Sequence, residues 1–247
     1  MKVSIITTCF NSEKTITDTI FSVLNQTYSN IEYIIIDGAS QDSTLDKINK
    51  YANKINILVS EPDQGMYYAM NKGISLASGD LIGILNSDDL FYNNQVIDKV
   101  VKCIKNDNSD AVYGDLIYFN NNKITRYWKA GNLSIKKMKF GWMPPHPTLF
   151  VKKNIYDKFG LFDVSFKTSA DYELILRFLL KHNINVSYIP DVLIKMKTGG
   201  QSNRSIKNRI KANIEDKRAW NVNNLKMPFY TRYLKPVLKI NQYLKKY

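Results

Sequence analysis

The chain has 247 residues, of which 44% are hydrophobic and 12% aromatic, and its formal net charge is +13. This length and composition predict one large globular α/β domain with a tail, and they exclude a fibrous, low-complexity or disordered chain. The short strand-like segment after Met1 and Lys2 fits neither a secretory signal nor a membrane span, so we expect a cytoplasmic protein.

The first half of the chain alternates apolar runs with segments of helical periodicity. This alternation predicts βαβ units with right-handed crossovers, in which parallel strands end at one edge of a single sheet. The predicted strands are 3–10, 31–36, 55–59 and 81–85, and the predicted helices follow 11–12, follow 37–40 and cover 66–77.

The second half is less regular, and additions of this kind usually shape a substrate pocket. A helix is predicted from residue 170, with acidic residues in its first turn that suit the positive end of the helix dipole. The other predicted elements are short strands at 111–114 and 116–119, a hairpin turn at 120–123, and strands at 124–128 and 148–152.

An acidic cluster, Asn86-Ser87-Asp88-Asp89, directly follows the apolar run 81–85. The run predicts a buried parallel strand, and open α/β sheets bind ligands at the carboxyl ends of such strands. Adjacent carboxylates repel each other, and Mg²⁺ or Mn²⁺ relieves the repulsion while leaving positions open for diphosphate oxygens. A helix N-cap after the strand is the alternative interpretation of the same residues.

Three sequence blocks together resemble glycosyltransferase family 2: residues 3–11 with 37–40, residues 71–73 through 86–89, and residues 170–174. The resemblance implies a GT-A fold, which is Rossmann-like, with a mainly parallel central sheet flanked by helices, here followed by a basic helical tail. It implies a GT-A domain at 1–204, with a nucleotide-sugar half at 1–114 and an acceptor half at 115–204. Residues 205–247 remain as a basic aromatic tail.

The resemblance also implies a UDP-sugar donor. Thr8 and Phe10 match the positions that hold the nucleobase, and the ring of Phe10 retains the stacking surface. Asp37 matches the acid that accepts a hydrogen bond from the N3–H of uracil. Asp63 and Lys72 are placed in the donor site as well, with a turn-forming Asp as an equal alternative for Asp63.

The acidic cluster is similar to the metal-binding motif of the family, with Asn in the place of its first Asp. The resemblance implies that Asn86 faces the ribose, that Ser87 belongs to the donor site, and that Asp88 binds Mn²⁺ or Mg²⁺. Asp89 is expected at the same metal site, either supporting Asp88 from behind or serving as an alternate ligand. Because one carboxylate is missing, we predict weak metal affinity in the absence of nucleotide.

Asp171 matches the catalytic base of the inverting members. In a single displacement it takes the proton of the acceptor hydroxyl while the oxygen attacks the anomeric carbon. Glu173 is expected to tune this acid, and His146, Gly200 and Ser202 are expected on the acceptor side or in a lid. Two alternatives stay open. Asp171 and Glu173 could serve only to stabilise the start of a helix, and His146 could be a packed side chain in a structural proline turn.

The positive charge is concentrated at the end of the chain. Residues 195–247 contain 14 Lys and Arg against 2 Asp and Glu, and aromatic side chains interleave with the cations. This pattern predicts a peripheral contact with an anionic membrane on its inner face, where a polyprenyl-diphosphate-linked glycan acceptor would be found. A solvated basic helix or a disordered tail is the alternative.

The sequence therefore predicts a metal-dependent, inverting hexosyltransferase that acts in bacterial surface polysaccharide biosynthesis, such as O-antigen or capsule. Asn86, together with Met70 where relatives carry Arg, makes a catalytically degenerate relative the main alternative; whether Lys72 replaces the Arg stays open. A nucleic-acid-binding module is disfavoured because the cations concentrate in a tail, and no nucleic acid partner is expected. A nucleotidyltransferase would need a glycine-rich phosphate loop, which residues 8–12 do not form.

Overall fold

The computed structural model describes residues 1–120, 123–198, 206–231 and 234. Nine strands join into one sheet within this part of the chain. They are β1 (Val3–Cys9), β2 (Ile31–Asp37), β3 (Ile57–Ser60), β4 (Leu81–Ile84), β5 (Asp89–Phe91), β6 (Ala111–Asn120), β7 (Lys123–Trp128), β8 (Phe150–Lys152) and β9 (Val186–Lys197).

Helices cover both faces of the sheet. They are α1 (Ile16–Leu24), α2 (Thr44–Asn49), α3 (Met66–Leu76), α4 (Val96–Asp107), α5 (Ile135–Lys139), α6 (Lys153–Phe159), α7 (Ala170–Leu176) and α8 (Ile206–Val222). Short 3₁₀ turns lie at Ala52–Lys54 and His146–Thr148, and a π-helical turn at Arg177–Lys181 extends α7.

The strand order is β3-β2-β1-β4-β8-β6-β9-β5, and β7 pairs with β6 outside this path. β1 to β4 are parallel, β8 runs antiparallel to both of its neighbours, and β6 and β9 are again parallel to each other. Cys9 lies opposite Asp37, which lies opposite Ser60, so the first three strands end level with one another. The predicted mixed α/β architecture is confirmed.

Side chains alternate between two cores, one on each face of the sheet, as the pleat requires. In β1, Ile5 packs with α1 and α4 on one face, and Ile6 packs with α3 and α7 on the other. A Cβ at Gly73 would lie 2.4 Å from Cγ2 of Ile6, so the glycine lets α3 approach β1 closely. This close packing fixes the position of the α3 side chains that reach the sheet edge.

The structure differs from the predicted elements where pairing is non-local. Residues 111–120 form one strand instead of two, because the interior Asp115 is buried and accepts hydrogen bonds from the hydroxyls of Tyr127 and Tyr188. A bulge lies beside it at Gly114. The sequence did not predict α4, β5 or β9; β9 contains Pro190 and Asp191, which disfavour a strand in isolation.

The described part of the terminal segment is packed against the domain. Trp220 of α8 is buried and donates a hydrogen bond from Nε1 to the Tyr172 hydroxyl at 2.9 Å. The expected boundary at residue 204 therefore does not mark the end of the packed structure. Gly200 and Ser202, the tip of the predicted hairpin at 121–122 and most of the tail beyond 231 lie outside the described residues. Among the described helices, none combines the length and the apolar character needed to cross a bilayer.

Candidate active site

Asp37 lies at the level where β1, β2 and β3 end, as predicted, but its side chain is fully buried. The carboxylate accepts hydrogen bonds from the backbone N–H of Ser40 at 3.0 Å and from the hydroxyl of Ser60 at 2.7 Å. Thr8 is also buried, whereas the ring of Phe10 is 59% exposed. Phe10 thus offers an open aromatic surface near a buried carboxylate.

The loop after β1 is hydrogen bonded to the loop after β4. The hydroxyl groups of Ser12 and Ser87 lie 2.8 Å apart, and the backbone N–H of Ser12 donates to Oγ1 of Thr44 at 2.7 Å. Ser87 therefore lies beside the loop that carries Phe10, as expected for residues that contact one ligand. No pattern in the sequence indicated these contacts of Ser12.

The acidic cluster forms a tight turn that leads into β5. The backbone N–H of Asp89 donates to the carbonyl of Asn86 at 3.0 Å, and Nδ2 of Asn86 donates to Oδ2 of Asp89 at 3.1 Å. Because the strand β5, and not a helix, follows the acidic cluster, the interpretation of the cluster as a helix N-cap is wrong. Asp89 is fully buried, and this burial, together with the neighbouring Asp88, raises its pKa well above the ordinary value.

The two aspartates of the cluster therefore differ in their environment. Asp88 is partly exposed; burial raises its pKa, and the cation of Lys197 partly offsets the rise. Asp89 lies in the interior, so Asp88 is the carboxylate of this turn that is open to solvent. The carbonyl oxygen of the Asn86 side chain and Oδ1 of Asp89 are buried without a hydrogen-bond partner.

These residues fit a divalent cation that is held jointly with a ligand. Within the described ranges, no three His, Cys, Asp or Glu side chains gather into a cation site. Mg²⁺ typically binds through one or two carboxylates plus substrate phosphates, and Asp88 supplies one such carboxylate. Burial raises the pKa of Asp88, and a bound cation would favour the charged form of this carboxylate.

Asp63 and Lys72 belong to one ion-pair cluster. The Lys72 ammonium lies 2.7 Å from Oδ1 of Asp63 and 2.6 Å from Oε1 of Glu61, and these hydrogen bonds raise the pKa of Lys72. The cluster fastens the turn that precedes α3 to the second turn of that helix. Oδ2 of Asp63 is buried without a partner.

Asp171 lies in the first turn of α7 and is partly exposed. The hydroxyl of Tyr67, in the first turn of α3, donates to Oδ1 of Asp171 at 3.4 Å. The Tyr67 ring stacks on Phe162 with centroids 5.6 Å apart, and the His146 ring meets the same Phe162 edge-on at 6.4 Å. Burial lowers the pKa of His146, and the Asp171 carboxylate partly opposes this. The four side chains form one cluster around the predicted base.

Asn71 of α3 holds Phe162 in place by two hydrogen bonds. Its Nδ2 donates to the Phe162 carbonyl and its Oδ1 accepts from the Phe162 N–H, both at 2.9 Å. Asn71 was part of the sequence blocks, but neither Tyr67 nor Phe162 was singled out. The aromatic residues that follow Gly65 are the sequence feature that could have indicated Tyr67 as a site residue.

Glu173 follows Asp171 by two residues in α7, but its side chain is turned into the interior. It is buried and forms a bidentate ion pair with Arg177, with N–O distances of 3.0 and 2.8 Å. Asn223 donates to the same carboxylate at 3.0 Å. Both oxygens are thus paired with Arg177, and Oε1 also links α7 to Asn223 after α8, so Glu173 has a packing role.

The profile of Glycosyl transferase family 2 matches residues 4–178. The chain belongs to this family. The match runs from β1 to α7 and includes the Asn86–Asp89 turn, Asp171 and the ion-pair cluster around Lys72.

Curated relatives of this family 2 chain include two from different pathways. It is 31% identical over 226 residues to the UDP-Glc:alpha-D-GlcNAc-diphosphoundecaprenol beta-1,3-glucosyltransferase WfgD of Escherichia coli, covering 89% of this chain and 84% of that protein. It is 29% identical over 160 residues to a PGL/p-HBAD biosynthesis glycosyltransferase of Mycobacterium tuberculosis, covering 63% of this chain. That match spans 61% of the length of the mycobacterial protein.

Solved structures show that the fold is GT-A. Residues 1–349 of Staphylococcus aureus TarS in complex with UDP-GlcNAc superimpose with a TM-score of 0.73 at 20% identity, covering 96% of this chain and 70% of that one. The mannosyltransferase PcManGT of Pyrobaculum calidifontis, in complex with GDP-Man and Mn²⁺, superimposes with a TM-score of 0.68 at 17% identity. This match covers 98% of this chain and 69% of that one.

Proposed function

We propose that this family 2 protein transfers one sugar from a UDP-sugar to a hydroxyl of a lipid-diphosphate-linked glycan, with inversion at the anomeric carbon. The observation that carries the proposal is the contact between Asp171 and Tyr67. It joins the first turn of α7 to the first turn of α3, directly after the turn that contains Asp63. A partly exposed carboxylate is thereby held beside the expected donor site.

The donor end is proposed from Phe10 and Asp37. An exposed ring provides a stacking surface for a base, and a carboxylate at the end of β2 is an acceptor for the N3–H of uracil. UDP also appears in the names of WfgD and of the TarS complex, whereas PcManGT was solved with GDP-Man. GDP is therefore the competing donor that an experiment must compare.

Asp88 is proposed to hold Mg²⁺ or Mn²⁺ together with the donor diphosphate. When bound, the cation would neutralise negative charge on the nucleoside diphosphate leaving group. Asp89 and Asn86 maintain the turn that presents Asp88. Because the protein offers a single open carboxylate, we expect weak cation binding until nucleotide is present.

Asp171 is proposed as the general base. It accepts the proton of the acceptor hydroxyl, whose oxygen attacks the anomeric carbon on the side opposite the diphosphate, and this single displacement inverts the configuration. Tyr67 positions the carboxylate through its hydrogen bond. His146, whose pKa is lowered by burial, borders the same cluster from the loop before β8. We expect it to contact the acceptor.

The acceptor class is proposed from chemistry and likeness together. WfgD is named for a sugar carried on diphosphoundecaprenol, and its match covers 89% of this chain. The tail carries the excess of cations, which suits a place at the inner face of an anionic membrane. The protein would then add its sugar to a growing surface glycan or glycolipid.

The donor proposal is tested by calorimetric titration of UDP, GDP and dTDP into the full chain with and without Mn²⁺. We expect UDP to bind at least tenfold more tightly with the cation, and this gain to disappear in Asp88→Ala. The exposed Asp157 of α6 provides the matched control, Asp157→Ala. Binding of GDP in preference to UDP would overturn the donor assignment, and failure of every nucleotide would indicate a degenerate relative.

A further inference from the structure

Two long stretches of the sequence contain no acidic residue. Neither 116–156 nor 217–247 includes an Asp or Glu, although both are rich in Lys and Arg. The fold brings these stretches together at α5 and residues 225–231. The rings of Phe140 and Tyr230 stack with centroids 5.1 Å apart, and the Thr231 hydroxyl donates to the carbonyl of Lys139. Two basic regions that are remote in sequence thus form one surface, the α5 face.

The α5 face combines exposed cations with exposed apolar groups. Met138 anchors α5 in the core, so the other side chains of this short helix point outward. Ile135 is 50% exposed and Phe229 is 83% exposed, the highest value among the large hydrophobic side chains of the described residues. The exposed lysines of the face are Lys136, Lys137, Lys139 and Lys226.

Phe229 buries little of its ring within the fold, whereas full burial of a Phe side chain would contribute about 1.5–3 kcal/mol. Apolar side chains surrounded by lysines match the headgroup region of an anionic bilayer, where the ring enters the acyl boundary and ammonium groups meet lipid phosphate. A nucleic acid would satisfy the lysines but would leave Ile135 without a partner.

We propose that the α5 face docks on an anionic lipid bilayer, with Phe229 and Ile135 inserted among the headgroups. The proposal adds α5 to the membrane contact, a helix that the expected tail at 205–247 does not include. It also does not depend on glycosyl transfer, because docking is measured without donor or acceptor. The sequence after Thr231 contains five more cations and no acid.

Vesicle sedimentation with the full chain tests the proposal. The vesicles consist of phosphatidylcholine alone or with about one third phosphatidylglycerol. Since a cation near such a surface contributes about 1 kcal/mol, Lys136→Ser with Lys137→Ser should weaken binding to the anionic vesicles about thirtyfold. Phe229→Ser should weaken it about tenfold. Deletion of 205–247 is a poorer test, because it also removes the buried Trp220.

The matched controls are Lys50→Ser with Lys54→Ser, which removes two exposed lysines near α2, and Leu76→Ser, at the exposed end of α3. Both controls should bind vesicles as the unmodified chain does. The proposal is overturned if the unmodified chain does not bind the anionic vesicles. It is equally overturned if the control variants lose as much vesicle binding as the test variants. It is also overturned if a DNA duplex binds more tightly than the vesicles and only the lysine variant weakens that binding.

Discussion

Glu32 connects the first two strands to the end of α3 through a buried carboxylate. It accepts hydrogen bonds from the Lys2 ammonium and the Ser4 hydroxyl, both at 2.6 Å, and from the backbone N–H of Ser78 at 2.8 Å. Burial alone would raise the pKa of Glu32, but these hydrogen bonds outweigh it and lower the pKa to about 2. We predict that Glu32→Gln destabilises the protein at neutral pH.

The magnitude follows from the pKa difference between the folded and unfolded states. A fall from 4.5 to about 2 corresponds to about 3 kcal/mol, which solvent screening at the partly exposed Lys2 reduces to about 2 kcal/mol. Because the folded pKa is the lower one, this stability is present above pH 4.5 and is lost as the pH falls towards 2. The difference between Glu32→Gln and the unmodified chain should therefore shrink as the pH falls.

Urea unfolding followed by tryptophan fluorescence at pH 7 and pH 3.5 measures this difference. Asp157→Asn, an exposed substitution in α6, is the control and should leave the free energy of unfolding within about 0.5 kcal/mol. A loss below about 0.5 kcal/mol for Glu32→Gln at pH 7 would refute the reasoning. An equal loss at both pH values would show that the charge is not its source.

Three further predictions concern the neighbourhood of the site. Glu173→Gln leaves the Arg177 guanidinium without its buried partner and should cost about 3–5 kcal/mol in urea unfolding, with UDP affinity unchanged in the surviving folded fraction. Tyr67→Phe removes one hydrogen bond to Asp171 and should lower kcat about two- to tenfold at unchanged donor KM, which a steady-state assay detects. Gly73→Ala pushes α3 away from β1 and should lower the thermal midpoint, at a cost of about 1–3 kcal/mol.

Local patterns allowed the first half of the fold to be predicted. β1, β2 and β4 are rich in apolar residues and buried almost throughout, because both faces of a parallel sheet are covered. Helical periodicity follows β1 and β2 directly. The position of the acidic turn after β4 followed from the same pattern. The pairings of β5 with β9 and of β6 with β9 join distant segments, so no local pattern predicts them.

The same distinction applies to the candidate site. The place of Asp171 at the start of a helix was predictable, but its contact with Tyr67 spans 104 positions in sequence. The inward orientation of Asp89 depends on the unpredicted β5. Glu173 and Arg177, by contrast, are four residues apart on a helical segment, and this spacing could have indicated an ion pair from the sequence alone.

The central claim is that Asp171 is the general base of glycosyl transfer. The most direct test compares the unmodified chain, Asp171→Asn and the control Asp157→Asn for turnover of a UDP-sugar with a lipid-diphosphate-linked sugar, alongside calorimetric UDP binding. Loss of a general base costs about 10²–10⁴ in rate, so we predict such a loss in turnover for Asp171→Asn with UDP affinity unchanged. Turnover within threefold of the unmodified chain would contradict the account.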